Sequence, residues 1–515
     1  ERLLMTMMMM MPYCGRRTRR TSSLPCLVAL ILSCALLVAW NGSNSNGIQN
    51  DSSSSPLQRQ LRQQQQQPSA FRRRLSENEE KNISSSQETT TTILAQHLQQ
   101  FQPSDEARVI GPSVFPKPTQ KIRALLRQNH DNHDDDDDVE IVVALKPVLG
   151  QHRPDHDAVV LFAAEYSIHV YAQFIESLRA TGYDGDIVLS VHPNDLKKDD
   201  IDQYLSYYAN GRGVVVYAPQ QVCYTRQGEE TESANGGGRT CHLHQVYGKK
   251  RQTSNNNTGD DDDDIEPLPD ARGPRTLQNI RYEIYWAMVA PYHGSSWILL
   301  VDARDTIFQT NPFANVPRRT DPTGRSGLLY LFGESIEATN IGKSAQYNYR
   351  WIRQAYGVEV ADALADKPII CSGATMGETV AIETYLRAMV AEADETGTVL
   401  MGSDQGFHNR LYYSQKLANA DSIHDIVVFD QGAGIVNNLA ALRSKPLEEW
   451  GNGKLVEKTA NGGGFVVKNW DGTISPVVHQ FDRHKDLARY FSRIKGRQDY
   501  QRWKSQHGQS TAAER

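Results

Sequence analysis

Two carboxylates stand three residues apart at the end of an apolar run, in Trp297-Ile298-Leu299-Leu300-Val301-Asp302-Ala303-Arg304-Asp305. Hard oxygen ligands of this kind suit Mg2+ or Mn2+, and such an ion can hold a diphosphate and offset its charge as it leaves. The competing reading makes one aspartate the cap of the next turn and pairs its neighbour with Arg304. Capping explains poorly why an apolar strand should deliver paired carboxylates, so Asp302 and Asp305 are read as metal ligands. His479 follows Val477 and Val478 and has Arg483, His484 and Lys485 behind it. It is either a core histidine bonded to backbone or a third ligand, with the cations available to phosphate oxygens. Asp404, with Ser403 as a plausible cap, could begin a helix carrying Phe407 and Leu411. Tyr166 follows an apolar strand, where a ring could stack on a ligand or simply be a surface tyrosine. Arg281 could reach a diphosphate, or pair with Glu283 or another carboxylate. Cys371, in an apolar stretch, reads as packed rather than reactive.

Residues this far apart in sequence meet only if the elements between them bring them together. The apolar run 158–163 is short enough for a buried strand. Over 167–181, Val170, Phe174 and Leu178 recur four apart and mark a helix face. A second strand over 186–191, a helix around 201–208 and a third strand over 214–217 follow. Ile280, Ile284 and Met288 then form another helical stripe before the strand 297–301. Strands separated by helices predict an α/β fold, a mostly parallel sheet with helices on both faces. Such sheets bind ligands beyond the carboxyl ends of their strands, which is where Asp302 stands.

The rest of the chain has a different composition. Setting aside the ten aspartates of 134–138 and 260–264 moves the net charge from −6 to +4. That excludes an acidic solvating chain and gives no case for a nucleic-acid binder. Arg16, Arg17, Arg19 and Arg20 precede the uncharged run 24–40, which predicts a type II signal anchor with 1–23 in the cytosol; a cleaved signal peptide is the alternative. Residues 41–150, rich in Ser, Gln, Asn, Thr and Asp, predict a disordered stem, with sequons at Asn41, Asn50 and Asn82. A low-complexity insertion is expected over 225–273, a catalytic domain over 151–500 and a disordered tail over 501–515. Cys223 and Cys241, beside the insertion, suit a disulfide in an oxidising lumen, while His242 and His244 leave a zinc site open.

Four blocks in order resemble the nucleotide-sugar glycosyltransferases of the GT-A fold. Asp302-x-x-Asp305, followed by Phe308-Gln309-x-Asn311-Pro312-Phe313, is similar to their Asp-x-Asp region in a widened form. The stretch from Ile370 to Gly377 resembles the small-residue strand and turn under the donor sugar. Ser403-Asp404-Gln405 with Asn409 and Arg410 resembles the Asp-Gln block that opens a helix. The stretch from Val477 to Arg483 is similar to the late strand whose histidine binds metal in the glycogenin-like retaining enzymes, although no Lys-Pro-Trp follows His479.

The resemblance implies a GT-A-like, Rossmann-type sheet, Mn2+ or Mg2+ on Asp302, Asp305 and His479, and a nucleotide-diphosphate sugar as donor. Tyr166, Arg281, Ser372, Gly373, Arg483 and Lys485 would bind that donor, and Asp404 and Gln405 would lie at the reacting sugar. The partners implied are a glycan or glycoprotein acceptor and, through the anchor, a Golgi or ER membrane. A sugar nucleotidyltransferase and an inactive membrane-tethered glycan-binding protein are the rival readings.

Overall fold

The computed structural model describes residues 101–129, 139–225, 227–231, 240–251, 265–316, 318, 327–451, 455–459 and 463–507. The chain divides into two units, 1–83 and 84–515, and all of these residues belong to the second. The expected anchor 24–40, the stem as far as residue 100 and both aspartate runs lie outside the described residues. Among those described, no helix is long and apolar enough to cross a membrane.

The first half of the fold runs α1 (Pro118–Asn129), β1 (Val139–Val143), β2 (Ala158–Phe162), α2 (Ile168–Arg179), β3 (Asp186–Ser190), α3 (Asp199–Ala209) and β4 (Val214–Tyr217). Next come β5 (Gln220–Tyr224), β6 (Glu230–Thr231), β7 (Thr240–Arg251), β8 (Ile265–Pro269), α4 (Leu277–Val289), β9 (Trp297–Asp302), β10 (Thr306–Phe308) and β11 (Leu328–Gly333). A π-helical turn, Ala345–Tyr349, leads into α5 (Arg350–Tyr356), α6 (Val358–Ala363), β12 (Ile370–Glu378), α7 (Thr379–Thr396) and α8 (Ser403–Tyr413). The last elements are β13 (Asp425–Phe429), β14 (Val436–Asn438), β15 (Val456–Lys458), β16 (Phe465–Val467), β17 (Val477–His479), α9 (Lys485–Ala488) and α10 (Gly496–His507).

The central sheet has seven strands in the order β13-β11-β12-β9-β2-β3-β4. β12 alone runs against its neighbours, so the sheet is mostly parallel, as the strand–helix alternation predicts. Its strands are buried on both faces, which is why they read as continuous apolar runs. The two-residue period still sorts their side chains. Val160, Val188, Leu300 and Leu331 pack in one layer with Ile284 of α4 and Leu386 of α7. Val159, Leu189, Val301 and Phe332 pack in the other with Phe174 of α2, Leu205 of α3 and Trp503 of α10. Each fully buried Val, Leu or Phe contributes about 1.5–3 kcal/mol, so this sheet is the rigid platform from which the strand-end residues project.

Three boundaries differ from those expected. The stem does not extend to residue 150: Phe101, Phe115 and Ile122 are buried, and β1 pairs along its length with β7. The insertion is no loop, because β5 to β8 form a five-stranded sheet with β1. Cys223 and Cys241 lie opposite one another in that sheet and are disulfide-bonded, which removes the zinc alternative. Buried Arg272 and Arg275 bind Glu283 and so tie the insertion to α4. The tail is ordered as far as His507, with Trp503 buried against Tyr204 at 4.9 Å between ring centroids.

Candidate metal centre

β9 is buried through Val301 and ends on Asp302, whose carboxylate is open to a cavity. The chain then turns out of the central sheet, and β10 pairs antiparallel with β17, placing Thr306 opposite His479. The Gln480 N–H donates to the Asp305 carbonyl at 2.8 Å, closing that turn against the end of β17. This change of sheet brings the histidine to the two aspartates. His479 Nε2 lies 3.8 Å from Asp302 Oδ2 and 3.8 Å from Asp305 Oδ1. Among the described residues these three form the group able to hold a metal ion, with ligand atoms within 4.8 Å of one another. A separation of 3.8 Å is too long for a hydrogen bond and short enough for one cation to bridge.

The imidazole is held in the orientation a metal needs. Asn438, at the end of β14, donates from Nδ2 to the carbonyls of Phe332 and Gly333 at 3.2 and 3.0 Å. Its Oδ1 is therefore the acceptor for His479 Nδ1 at 2.8 Å. Nδ1 carries a proton, and Nε2 is buried with no hydrogen-bond partner, 3.8 Å from each of the two carboxylates. Gly373 completes the cradle: a Cβ there would lie 2.5 Å from His479 Cε1 and 2.8 Å from Asp302 Oδ2. The donor set, the orphaned Nε2 and the space kept by Gly373 all fit a divalent cation. In the metal-free site the carboxylates favour the protonated imidazole, whose Nε2 proton a bound cation would displace. Burial would raise the Asp302 carboxyl, but Arg281 and His479 hold it far below the usual range. Burial, with Asp302 and Asp482 nearby, raises Asp305. Burial would lower His479, yet Cys371 and the two aspartates raise it well above its ordinary value.

Arg281, on α4, bridges two carboxylates: Nη1 donates to Asp302 Oδ1 and Nη2 to Asp404 Oδ2 at 2.8 Å. It is thus engaged with the site's own acids, while Glu283 is taken by Arg272 and Arg275. Asp404 lies in the first turn of α8, with Ser372 Oγ at 3.4 Å and Tyr282 Oη at 3.5 Å from its Oδ2. Burial raises it above the usual carboxylate range. The cap of α8 is Gly402, with φ 88°, and not Ser403, whose hydroxyl bonds Asn279 Oδ1. Gln405 lines the same cavity as Asp404, and its amide is bonded to backbone. Its Oε1 accepts from the Ser372 N–H at 2.8 Å and its Nε2 donates to the Ile370 carbonyl. One turn on, Asn409 bonds both the N–H and the carbonyl of Ile370, each at 2.9 Å. The two amides peg the start of β12, so Gln405 is a positioning residue.

Asp302, Asp404, Arg281, Ser372 and Gly373 line a cavity of about 640 Å³, with Arg483 at its edge. Tyr166 lies outside that lining, beside the metal carboxylates; burial and then Asp302 push its hydroxyl up to about 12. Lys485 is exposed at the start of α9 and does not line the cavity. Sequence reasoning missed Asn438, for which there was no local signal. It also missed Glu334, which lines the cavity directly after the apolar strand β11. That is the same signal that marks Asp302.

Burial pushes the Glu334 carboxyl up to about 7, against the pull of His479, Arg443 and Arg483. The folded state therefore binds this proton more tightly than the unfolded state, and stability falls as pH rises from the ordinary value of 4.5 through 7. In the metal-free protein, Glu334→Gln is expected to raise the thermal midpoint at about pH 8, with a gain that shrinks steadily towards about pH 5. A gain independent of pH in calorimetry would contradict this assignment.

No protein-family model matches the chain, and no curated protein matches it. Among solved structures, the chain is similar to the galactosyltransferase LgtC in complex with donor and acceptor sugar analogs. That likeness is 10% identical, covers 68% of this chain and 99% of that one, and has a TM-score of 0.32. It is also similar to an active-site mutant of LgtC, at 9% identity over 62% of this chain and 86% of that one, with a TM-score of 0.30.

Proposed function

We propose that the chain is a metal-dependent GT-A-type glycosyltransferase, moving a sugar from a nucleotide-diphosphate donor to a hydroxyl of a glycan or glycoprotein. The observation that carries this is the buried Nε2 of His479, without a hydrogen-bond partner, its ring fixed by Asn438, facing Asp305 and the cavity-lining Asp302. The same three residues would hold Mn2+ or Mg2+, which supplies positive charge to the leaving diphosphate. Arg483 at the rim, and Lys485 beyond it, provide further cations. Ser372 and Gly373 leave room beneath the donor sugar, and Tyr166 offers a ring to the base. Arg281 keeps Asp302 and Asp404 in place instead of contacting phosphate itself.

In the transfer, the acceptor oxygen bonds to the anomeric carbon as the bond to the diphosphate oxygen breaks. The acceptor proton passes to Glu334 on an inverting path, or to the departing diphosphate on a retaining one. Glu334 suits the base role better than Asp404. Its side chain makes no hydrogen bond or ion pair among the described residues, whereas Asp404 Oδ2 accepts from Arg281, Ser372 and Tyr282. A luminal position behind a membrane anchor, in Golgi or ER, agrees with the Cys223–Cys241 disulfide, since such bonds persist in oxidising compartments.

Incubating the full chain in detergent with nucleotide sugars and Mn2+ tests the proposal. One donor should be hydrolysed slowly alone and consumed faster with a glycan. Pyrophosphate release from a nucleoside triphosphate and a sugar 1-phosphate would mark a nucleotidyltransferase instead. Silence with every donor, and no nucleotide binding, would leave a glycan-binding protein and end the proposal.

A further inference from the structure

The cavity wall nearest Asp404 is built from an irregular element. The chain enters α5 through the π-helical turn Ala345–Tyr349, a form that is rare and frequent at functional sites. It presents Tyr347 and Asn348 to the cavity, and α5 adds Trp351 one turn later. The two rings stand 5.7 Å apart at 56°. Tyr347 is 47% exposed and Met401 beside it 48%, so this wall forms the mouth and not the floor. Gly402 lets the indole lie against the start of α8, since a Cβ there would come within 2.3 Å of Trp351 Cε2. Arg443 lies over the Tyr347 ring at 6.0 Å.

Asn348 supplies a second, independent sign of a ligand. It is only 6% exposed, and its Nδ2 donates to Ser344 Oγ at 3.1 Å. The residue lines the same cavity, and its Oδ1 is buried with no hydrogen-bond partner. A buried acceptor left open is costly unless something donates to it. Aromatic rings at a mouth and an unmet acceptor behind them together ask for a ligand with an apolar face and hydroxyl edges. A pyranose has both, as its C–H face stacks on a ring while its hydroxyls donate.

We propose that Tyr347, Trp351 and Asn348 form a saccharide subsite for the acceptor, so that the acceptor is a glycan and not a bare protein hydroxyl. This rests on the glycosyltransferase reading above. The donor belongs to the inner end of the cavity, over Ser372 and Gly373 beside the metal ligands. The aromatic wall adjoins Asp404 from outside, where an attacking hydroxyl must enter.

The test uses the full chain in detergent with Mn2+ and methyl glycosides of galactose, glucose, mannose and xylose as probes. Two readouts are taken: direct binding by saturation-transfer NMR, and stimulation of donor consumption. At least one glycoside should bind with saturation concentrated on one ring face. Tyr347→Ala should weaken it at least tenfold, in binding and in KM. Tyr347→Phe should stay within twofold of the parent, and Asn348→Ala should weaken binding several-fold. Trp351→Ala is a second truncation, with Tyr347→Ala as the safer variant because its ring is half-exposed. Glycoside binding or stimulation that is unchanged in Tyr347→Ala and Asn348→Ala overturns the subsite while donor turnover upholds the enzyme. Absence of donor turnover with Tyr347-dependent glycoside binding upholds the subsite and ends the transferase reading. No glycoside binding at all overturns the subsite.

Discussion

Asp305→Asn should lower metal-dependent donor turnover by about 10³-fold or more, equivalent to roughly 4 kcal/mol of lost transition-state stabilisation, while leaving the fold intact. The carboxylate is 6% exposed, is held at the end of a turn closed by Gln480 N–H, and faces His479 Nε2 across 3.8 Å. An amide of the same shape keeps the turn but loses the charge and one hard ligand oxygen. Stability should move the other way. Asp305 is raised by burial and by neighbouring Asp302 and Asp482, so in the metal-free protein its charge is a burden that Asn removes. Calorimetry in chelator should show a midpoint at or above that of the parent at about pH 7, with assays in Mn2+ showing the loss. Asp302→Asn should also lose turnover, but without the stability gain, because Arg281 and His479 already compensate that carboxylate. Parental turnover in Asp305→Asn would remove the metal centre from the mechanism.

Gly373→Ala should weaken metal binding by roughly 10–100-fold, the range typical of disturbing the surroundings of a ligand. The residue sits within β12, where alanine is conformationally acceptable, so only the added methyl is at issue. That methyl would stand 2.5 Å from His479 Cε1 and 2.8 Å from Asp302 Oδ2, and both atoms belong to ligands. The histidine is clamped by Asn438 and Asp302 by Arg281, so neither moves aside freely. Overpacking adds a stability cost of about 1–3 kcal/mol. Unchanged Mn2+ affinity in Gly373→Ala, measured by titration, would show that the cradle is not where the ion sits.

Asp302 could be found from sequence because a buried strand has to be apolar and has to end, and what stands at its end is conspicuous. Glu334 carries the same mark and could have been found with it. Asn438 could not, since its role exists only where β14 and β17 converge; Gly373 was marked by its motif, but its closeness to His479 and Asp302 appears only where β12 meets β17. The strand Thr240–Arg251 hid in an apparently featureless insertion for a local reason. Cys241 and Leu243 alternate as buried positions, but the pairing shifts at Gln245, whose φ is 61°, and Val246 and Tyr247 follow out of phase. Composition likewise concealed the ordered end of the expected stem. A few apolar residues suffice there: Phe101 fills the space beside Gly333, and its carbonyl accepts from Tyr412 Oη at 2.7 Å. Gln405 shows what a motif leaves out. Its place in a family-like motif suggested chemistry, while its amide is spent on the backbone of β12.

Equilibrium Mn2+ binding to the full chain, followed by electron paramagnetic resonance with and without a nucleoside diphosphate, tests the central claim most directly. Asp305→Asn and His479→Ala separate the site from weak binding by the aspartate runs. The result predicted is one tight ion per chain, tightened further by the nucleoside diphosphate and lost in both variants. Tight binding retained in both variants, or no tight ion in the parent chain, would contradict it.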